Sequence, residues 1–294
     1  MRALVLCNFA AGMGLTAQIE HIEQAFRASG LAAEVRAVRG DELAASARMA
    51  AQSGVDAVVA AGGDGTISAV AGALAGTSMP MGVLPLGTLN HFAKDLGLPL
   101  ELERAVRVIA AGRVRPVDVG EVNGRCFVNN SSIGLYPQIV TRRNEQCQRL
   151  GRGKWLAMGL AIIAMFHRYP VVRVVLETGQ RAFHRTTPFV FIGNNRYDIS
   201  LLSLGSRHRL DGGELSVYFA NRPGRFGLLA LMARALFGRL NQAKDFEVLS
   251  LKTMRIDTHK SSLRVACDGE VLRLQPPLNY RIRPGALNVY APVG

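Results

Sequence analysis

The stretch Val55-Asp56-Ala57-Val58-Val59-Ala60-Ala61-Gly62-Gly63-Asp64-Gly65-Thr66 decides the fold. Its first seven residues are nearly all apolar, as a strand is when helices cover both faces of its sheet. The glycines that follow let the backbone turn tightly and approach a ligand closely. The apolar run from Ile67 to Ala75 then reads as a helix. A strand, a glycine loop and a helix start form a natural phosphate cradle, because free N–H groups and the helix dipole both favour an anion. Asp64 in that loop repels phosphate unless a cation intervenes, which points to Mg²⁺ between carboxylate and nucleotide. A plain Gly-Asp-Gly turn with Asp64 as helix cap is the alternative.

The pattern repeats on both sides of this stretch. Upstream, ALVLCN is a strand leading through Asn8–Gly14 into a helix over Leu15–Ala28, and AAEVRAV is a second strand. Asp41 is placed to cap a helix over Glu42–Gln52. Downstream, MPMGVLPLGT gives a fourth strand, and the loop Pro85 to Ala93 repeats the geometry, with Gly87, Thr88 and Asn90 suited to phosphate. Short helices follow near Asn90–Asp95 and Glu101–Ala111. This order predicts a doubly wound α/β domain over residues 1–117, with its three loops on the ligand-binding edge of a parallel sheet.

From residue 118 the pattern becomes antiparallel. Val117–Val122 and Cys126–Ser131 bracket Asn123-Gly124, a hairpin signal. VVRVVLET, QRAFHRTT, TPFVFIGNN, GELSVYFA, FEVLSLKTMRID, SLRVACDGE and VLRL read as further strands of a β-sandwich or half-barrel over 118–275, with residues 276–294 able to return to the first domain. Asp268-Gly269-Glu270 has two readings. On one strand, Asp268 and Glu270 share a face and invite a metal or a proton transfer; alternatively Asp268-Gly269 is a hairpin turn.

Composition narrows the function. The chain has 294 residues, 49% hydrophobic and 19% charged, and a net charge of +13. Residues 1–117 carry 10 basic and 10 acidic side chains; residues 118–294 carry 25 and 12, so the entire excess lies in the second part. Arg142, Arg143, Arg149, Arg152 and Lys154 form one basic group, and Arg222, Arg225, Arg234, Arg239 and Lys244 another, beside the apolar stretches WLAMGLAIIAMF and FGLLALMARALFG. Such helices suit an anionic membrane surface, or a buried helix with solvated ends. Aromatic residues are only 6% and no nucleic-acid-binding signature occurs, so no specific nucleic acid is expected. The longest apolar run, Trp155–Phe166, has 12 residues, short of the roughly 17–25 that span a bilayer. Four scattered cysteines fit reduced thiols better than a disulfide framework or a zinc site, and six histidines without HExxH spacing argue against a zinc hydrolase. There is no GxxxxGK[ST], no GxGxxG with a following acid, and no GxSxG.

Together these motifs resemble the diacylglycerol kinase catalytic family, soluble lipid kinases that include sphingosine-kinase-like enzymes. Asn8 to Gly14 is similar to its N-P-x-A/S-G-x-G opening, Gly62 to Thr66 to its GGDGT, and Pro85 to Pro99 to its P-x-G-T-x-N-D-F-A-R-x-L-G-x-P. Asp118, Phe127–Gly134 and the late Asp268-Gly269-Glu270 also match. GGDGT alone is shared with NAD kinases and phosphofructokinase-like folds; its combination with the Gly87–Asn90 loop and the late Asp268-Gly269-Glu270 is specific.

The resemblance implies a nucleotide domain, a β-rich lipid domain, ATP and Mg²⁺ as cofactors, and γ-phosphoryl transfer to a lipid hydroxyl, diacylglycerol-like or sphingoid-like. On it, Asn8, Gly12, Gly62, Gly63, Gly65, Thr66, Gly87, Thr88 and Asn90 hold the nucleotide. Asp64 organises the metal with Asp118 and Asp268, Glu270 is the base with Asp64 as the alternative, and Asp64, Asp268 and Glu270 are catalytic. The family's structural metal site falls on Asp211, a single acid where the family has two. Phe9 stands for the usual Pro and His91 for the usual acid after Asn90. The expected setting is the cytoplasmic side of an anionic membrane, with a homodimer compatible. A soluble-substrate kinase of the NAD kinase type and a catalytically retired lipid-binding protein are the alternatives.

Overall fold

The computed structural model describes residues 1–8, 15–134, 172–178, 181–200, 203–207, 209–220, 224, 227 and 246–292. Apart from Gly227, both arginine-flanked apolar stretches lie outside the described residues.

The first unit is doubly wound. It comprises β1 (Arg2–Cys7), α1 (Leu15–Ala28), β2 (Ala32–Ala37), α2 (Leu43–Gln52), β3 (Ala57–Gly62), α3 (Asp64–Leu74), β4 (Met81–Pro85), α4 (His91–Asp95) and α5 (Leu102–Ala110). The strands lie parallel in the order β2-β1-β3-β4. Alternation along each strand separates two cores. Leu4, Leu6, Val58, Ala60 and Val83 pack on α2 and α3, through Leu43, Ile67, Val70 and Leu74. Ala3, Val5, Val59 and Leu84 pack on α1 and α5, through Ile22, Phe26, Val106 and Ile109. Central β3 is buried on both faces, which is why its sequence shows no polar alternation.

The second unit is a sandwich. Its strands are β5 (Val114–Val122), β6 (Arg125–Phe127), β7 (Asn130–Gly134), β8 (Val172–Thr178), β9 (Arg181–Thr187), β10 (Phe189–Asn194), β11 (Asp198–Ser200), β12 (Ser203–Ser206), β13 (Leu215–Ala220), β14 (Phe246–Leu251), β15 (Thr253–Asp257), β16 (Leu263–Cys267), β17 (Glu270–Leu274) and β18 (Leu278–Tyr290). One sheet, in the order β14-β13-β10-β7-β16-β17, is antiparallel throughout. The other continues the first unit's sheet as β4-β18-β15-β8-β9, with β5 and β6 attached to it. Ile133, Val190, Val217 and Val265 from the first meet Leu176, Ile256 and Tyr280 from the second.

The long strand β18 joins the units. It runs antiparallel to β5 over nearly its whole length, and Val289 pairs with Met81 of β4 in parallel. The β5–β18 register shifts between Arg283 and Leu287, where Gly285 has a φ of 57°. That bulge is held by Asp118, whose Oδ1 accepts from Gly285 N–H at 2.8 Å and whose Oδ2 accepts from Gly213 N–H at 2.7 Å.

Several sequence expectations are corrected here. Helix α3 begins at Asp64, not Ile67, so the acid sits in the first turn. Glu42, not Asp41, precedes α2, and Asp41 instead pairs with Arg39 at 2.9 Å. The strand expected over Cys126–Ser131 is two, β6 and β7. FEVLSLKTMRID also divides, at Lys252: β14 joins the six-stranded sheet and β15 the ten-stranded one. The Asn123-Gly124 hairpin forms as expected, both residues having positive φ. Burial pushes the Cys7 and Cys267 thiols up to about 12, so neither is a thiolate at neutral pH.

A buried ion pair closes the contact between the units. Arg207, 4% exposed, donates from Nε to Asp95 Oδ2 at 2.7 Å. Its remaining donors reach Val128 O at 2.6 Å, Asn194 O at 3.0 Å and Asn129 Oδ1 at 2.9 Å. The guanidinium also lies 5.1 Å from the centre of the Tyr197 ring. Asp95 ends α4 of the first unit; every other partner belongs to the second. Arg207→Leu strands the Asp95 carboxylate in a dry site and is expected to cost about 3–5 kcal/mol, read from the urea midpoint. Adding Asp95→Leu is expected to restore part of the loss.

Candidate active site

The two glycine loops meet backbone to backbone at the carboxyl ends of β3 and β4. A Cβ on Gly87 would overlap the Cα of Gly63, and a Cβ on Gly62 would lie 2.6 Å from Thr66 Oγ1. Thr66 is therefore packed against the loop and only 5% exposed. Gly63 precedes α3 in an extended conformation, and no side chain caps the helix. The first-turn N–H groups of an eleven-residue helix are thus left for a ligand.

Asn90 does different work from that expected of it. It is buried, with a φ of 53°, and its Oδ1 accepts from Gly87 N–H at 3.0 Å. Its Nδ2 donates to Pro85 O at 3.1 Å and Gly87 O at 2.8 Å. The side chain is consumed in shaping the loop, so its expected contact with phosphate is corrected to a positioning role. Thr88 and Gly65 are exposed at the cleft, and Asn8 is exposed at the end of β1. Gly12 lies outside the described residues.

Asp64 stands in the first turn of α3, and its Oδ1 accepts from Phe92 N–H of α4 at 3.4 Å. Across the cleft, Asp268 and Gly269 form the turn between β16 and β17, with φ values of 47° and 88°. The strand-face reading of Asp268-Gly269-Glu270 is therefore corrected to the hairpin turn. Asp268 faces inward: Oδ1 accepts from the N–H groups of Asn129 at 2.8 Å and Asn130 at 2.9 Å, and Oδ2 from Val128 N–H at 2.8 Å and the Ser68 hydroxyl. Burial pushes this carboxyl above the usual carboxylate range, against the pull of those four donors. Glu270 opens β17 and is exposed; a Cβ on Gly65 would lie 4.0 Å from its Oε1. Glu270 has no hydrogen bond or ion pair among the described residues.

The expected metal set is reduced accordingly. All four acceptor positions of Asp268 are filled from within the protein, so here it acts as a clamp between the units. Asp118 is buried and holds the β18 bulge. Asp211 is paired with Arg115 and Arg209, each at 3.2 Å, which hold its carboxyl below the usual range despite partial burial. Among the described residues no group of three or more His, Cys, Asp or Glu is placed to hold a metal. Asp64 and Glu270 remain as the open acids of the cleft. Ser68, Asp95 and Arg207 were missed in the sequence because their partners lie far away in the chain.

Residues 2–122 match the family model of the diacylglycerol kinase catalytic domain, and residues 132–291 that of the YegS C-terminal NAD kinase beta sandwich-like domain. The chain belongs to the YegS-like lipid kinase family. A Pseudomonas savastanoi pv. phaseolicola protein named "Probable lipid kinase YegS-like" is 30% identical, over 89% of this chain and 81% of its own. A Pseudomonas aeruginosa protein of the same name is 29% identical, over 82% and 78%. The crystal structure of a diacylglycerol kinase from Bacillus anthracis str. Sterne covers 99% of this chain and 97% of its own at 20% identity, with a TM-score of 0.70. That last likeness is one of fold. Membership makes the chain a kinase, and a lipid kinase by family.

The loop packing gives a test that leaves every acid in place. In Gly87→Ala the new methyl meets the Gly63 backbone, where no side chain can yield. Because a displacement of about 1 Å at a reacting centre can cost about 10²-fold, kinase turnover is expected to fall by that order. The far-UV circular dichroism and the unfolding m-value should stay near wild type.

Proposed function

We propose that this lipid kinase transfers the γ-phosphoryl group of ATP to a lipid hydroxyl at an anionic membrane surface, with Mg²⁺. One observation carries the reading: Asp64 and Glu270, from opposite units, are the two acids left open beside the apposed glycine loops. The donor set fits both cofactors. A triphosphate suits the uncapped start of α3 and the glycines whose Cβ atoms would fill the cradle. Mg²⁺ is held through one or two carboxylates together with phosphate oxygens and water, a part that Asp64 at the start of α3 can supply. When bound, the ion neutralises charge on the phosphates.

The chain's own residues do the rest. The Gly62–Thr66 and Gly87–Asn90 loops position the donor phosphates through backbone N–H groups, and Asn90 holds the second loop in shape. Phe92 N–H fixes the Asp64 carboxylate. Glu270 takes the proton of the acceptor hydroxyl; its place at the start of β17 brings it to the edge of the cleft. Positioning and charge neutralisation supply most of the rate in phosphoryl transfer, so Asp64 matters more than the base.

The lipid acceptor is a diacylglycerol-like or sphingoid-like alcohol. The excess charge of residues 118–294 favours the cytoplasmic face of an anionic membrane, and a homodimer is compatible. Among the described residues no helix is long and apolar enough to cross a membrane.

Radiolabelled ATP with a panel of lipids in mixed micelles tests the assignment. Label is expected in one lipid class. Label confined to a soluble acceptor such as NAD would overturn the lipid assignment, and nucleotide binding with no transfer at all would favour a retired enzyme. Asp64→Ala is expected to abolish turnover with the fold intact, and Glu270→Gln to lower it by about 10²–10⁴-fold. Full activity in Asp64→Ala contradicts the proposed site.

A further inference from the structure

Away from the phosphate loops, helix α5 and the end of β18 enclose an open cleft of about 370 Å³, within the size range of ligand pockets. Its floor is apolar, made by Val108, Ala291 and Pro292; its rim carries Arg104, Arg107 and Arg113. Arg104, Arg107 and Ala111 follow one another at helical spacing, so the helix presents one basic edge to the cleft. All three arginines are exposed. Arg104 makes a loose pair with Glu101, 3.7 Å apart, while the side chains of Arg107 and Arg113 have no hydrogen bond or ion pair among the described residues. Glu103, the other acid of this helix, hydrogen-bonds His21 at 2.9 Å and also feels the charge of Arg107, without pairing with it. The exposed apolar side chains Leu100, 46% exposed, and Val114, 39% exposed, adjoin the cleft residues in sequence.

Compensation of the helix dipole does not account for this arrangement. A helix C-terminus carries a charge of about −0.5, and Arg107 in the last turn already exceeds it. Two further arginines around an apolar floor match an anion attached to an apolar body. We propose that this cleft docks an anionic phospholipid of the membrane surface, the arginines meeting its phosphate and the floor taking the first part of its acyl chains. The contact lies on the unit whose total charge is zero, so net charge by halves conceals it. It adds a second point of contact to the membrane reading above, on which it rests, and holds the nucleotide unit itself against the bilayer. None of its residues belongs to the phosphate loops.

The experiment is sedimentation of the full chain with vesicles of phosphatidylcholine, alone or mixed with phosphatidylglycerol, in the absence of ATP. The wild type is expected to bind the mixed vesicles, less so as salt rises. Arg107→Gln with Arg113→Gln is expected to weaken that binding by about 30-fold, the effect of two arginines near an anionic surface. Arg36→Gln with Arg39→Gln removes the same charge from residues paired with Glu34 and Asp41 and should leave it near wild type. Kinase turnover on a monomeric short-chain acceptor should be the same in all three proteins. Equal losses in the two double variants overturn the cleft while preserving the membrane reading, as does an unchanged affinity in the Arg107/Arg113 variant. Absence of wild-type binding to mixed vesicles overturns both. Inorganic phosphate that removes vesicle binding at constant ionic strength would assign the cleft to free phosphate instead.

Discussion

The cleft depends on a carboxylate that faces away from it. Asp268 accepts four hydrogen bonds, three from consecutive backbone N–H groups of Val128, Asn129 and Asn130 and one from Ser68 of α3. Withdrawing a carboxylate from water is costly, and only charge-assisted bonds to every lone pair offset it. Because those donors come from both units, the carboxylate is satisfied only when the sandwich sits against the nucleotide unit in one orientation. Asp268 also occupies the left-handed region, so the chain reverses at Gly269 and Glu270 emerges one residue later beside Gly65. The position of the open acid, Glu270, is set by the burial of its neighbour Asp268.

This distinction orders all the acids near the site. Asp118 holds the bulge that lets β18 serve two units, Asp95 holds Arg207, and Asp211 is held by arginines. Each is matched by donors within the protein. Asp64 keeps only one long hydrogen bond, and Glu270 keeps none among the described residues. A saturated carboxylate has little left with which to bind a metal or take a proton; an open one at a cleft edge has both capacities. The same sorting separates Asn90, whose amide is consumed in its own loop, from Thr88, which is exposed.

The sequence reveals whatever local chemistry determines. The apolar β3, the glycine loop, the helix that follows and the Asn123-Gly124 hairpin all state their own conformation, because backbone sterics and burial on both faces act over a few residues. It was silent where the deciding partner is distant. In sequence Asp268 is equally compatible with a strand face and with a turn, and the Ser68 hydroxyl that binds it lies two hundred positions earlier in the chain. Lys252 gives no local sign that the chain changes sheets there, yet its carbonyl accepts from Ile282 N–H of β18 at 2.9 Å. Arg207 read as one arginine in a basic chain; only the fold shows that it is buried with all its directions used. The candidate site was legible as motifs, but the roles within it were not, since a role depends on which lone pairs the fold has already filled.

His91 shows how far a motif departure disturbs such a site. The side chain that replaces the family's usual acid is exposed at the start of α4. The neighbouring contact that fixes Asp64 comes from the backbone N–H of Phe92, which any residue at 91 preserves. Losing the acid therefore removes a negative charge beside the proposed phosphates without removing the support of the carboxylate that meets them. Two open acids facing a polyanion suit a single divalent cation; a third would add repulsion wherever it was not itself coordinated. The exchange leaves the hold on Asp64 intact because that contact is made by the main chain of the next residue, and geometry of that kind is indifferent to the side chain at 91.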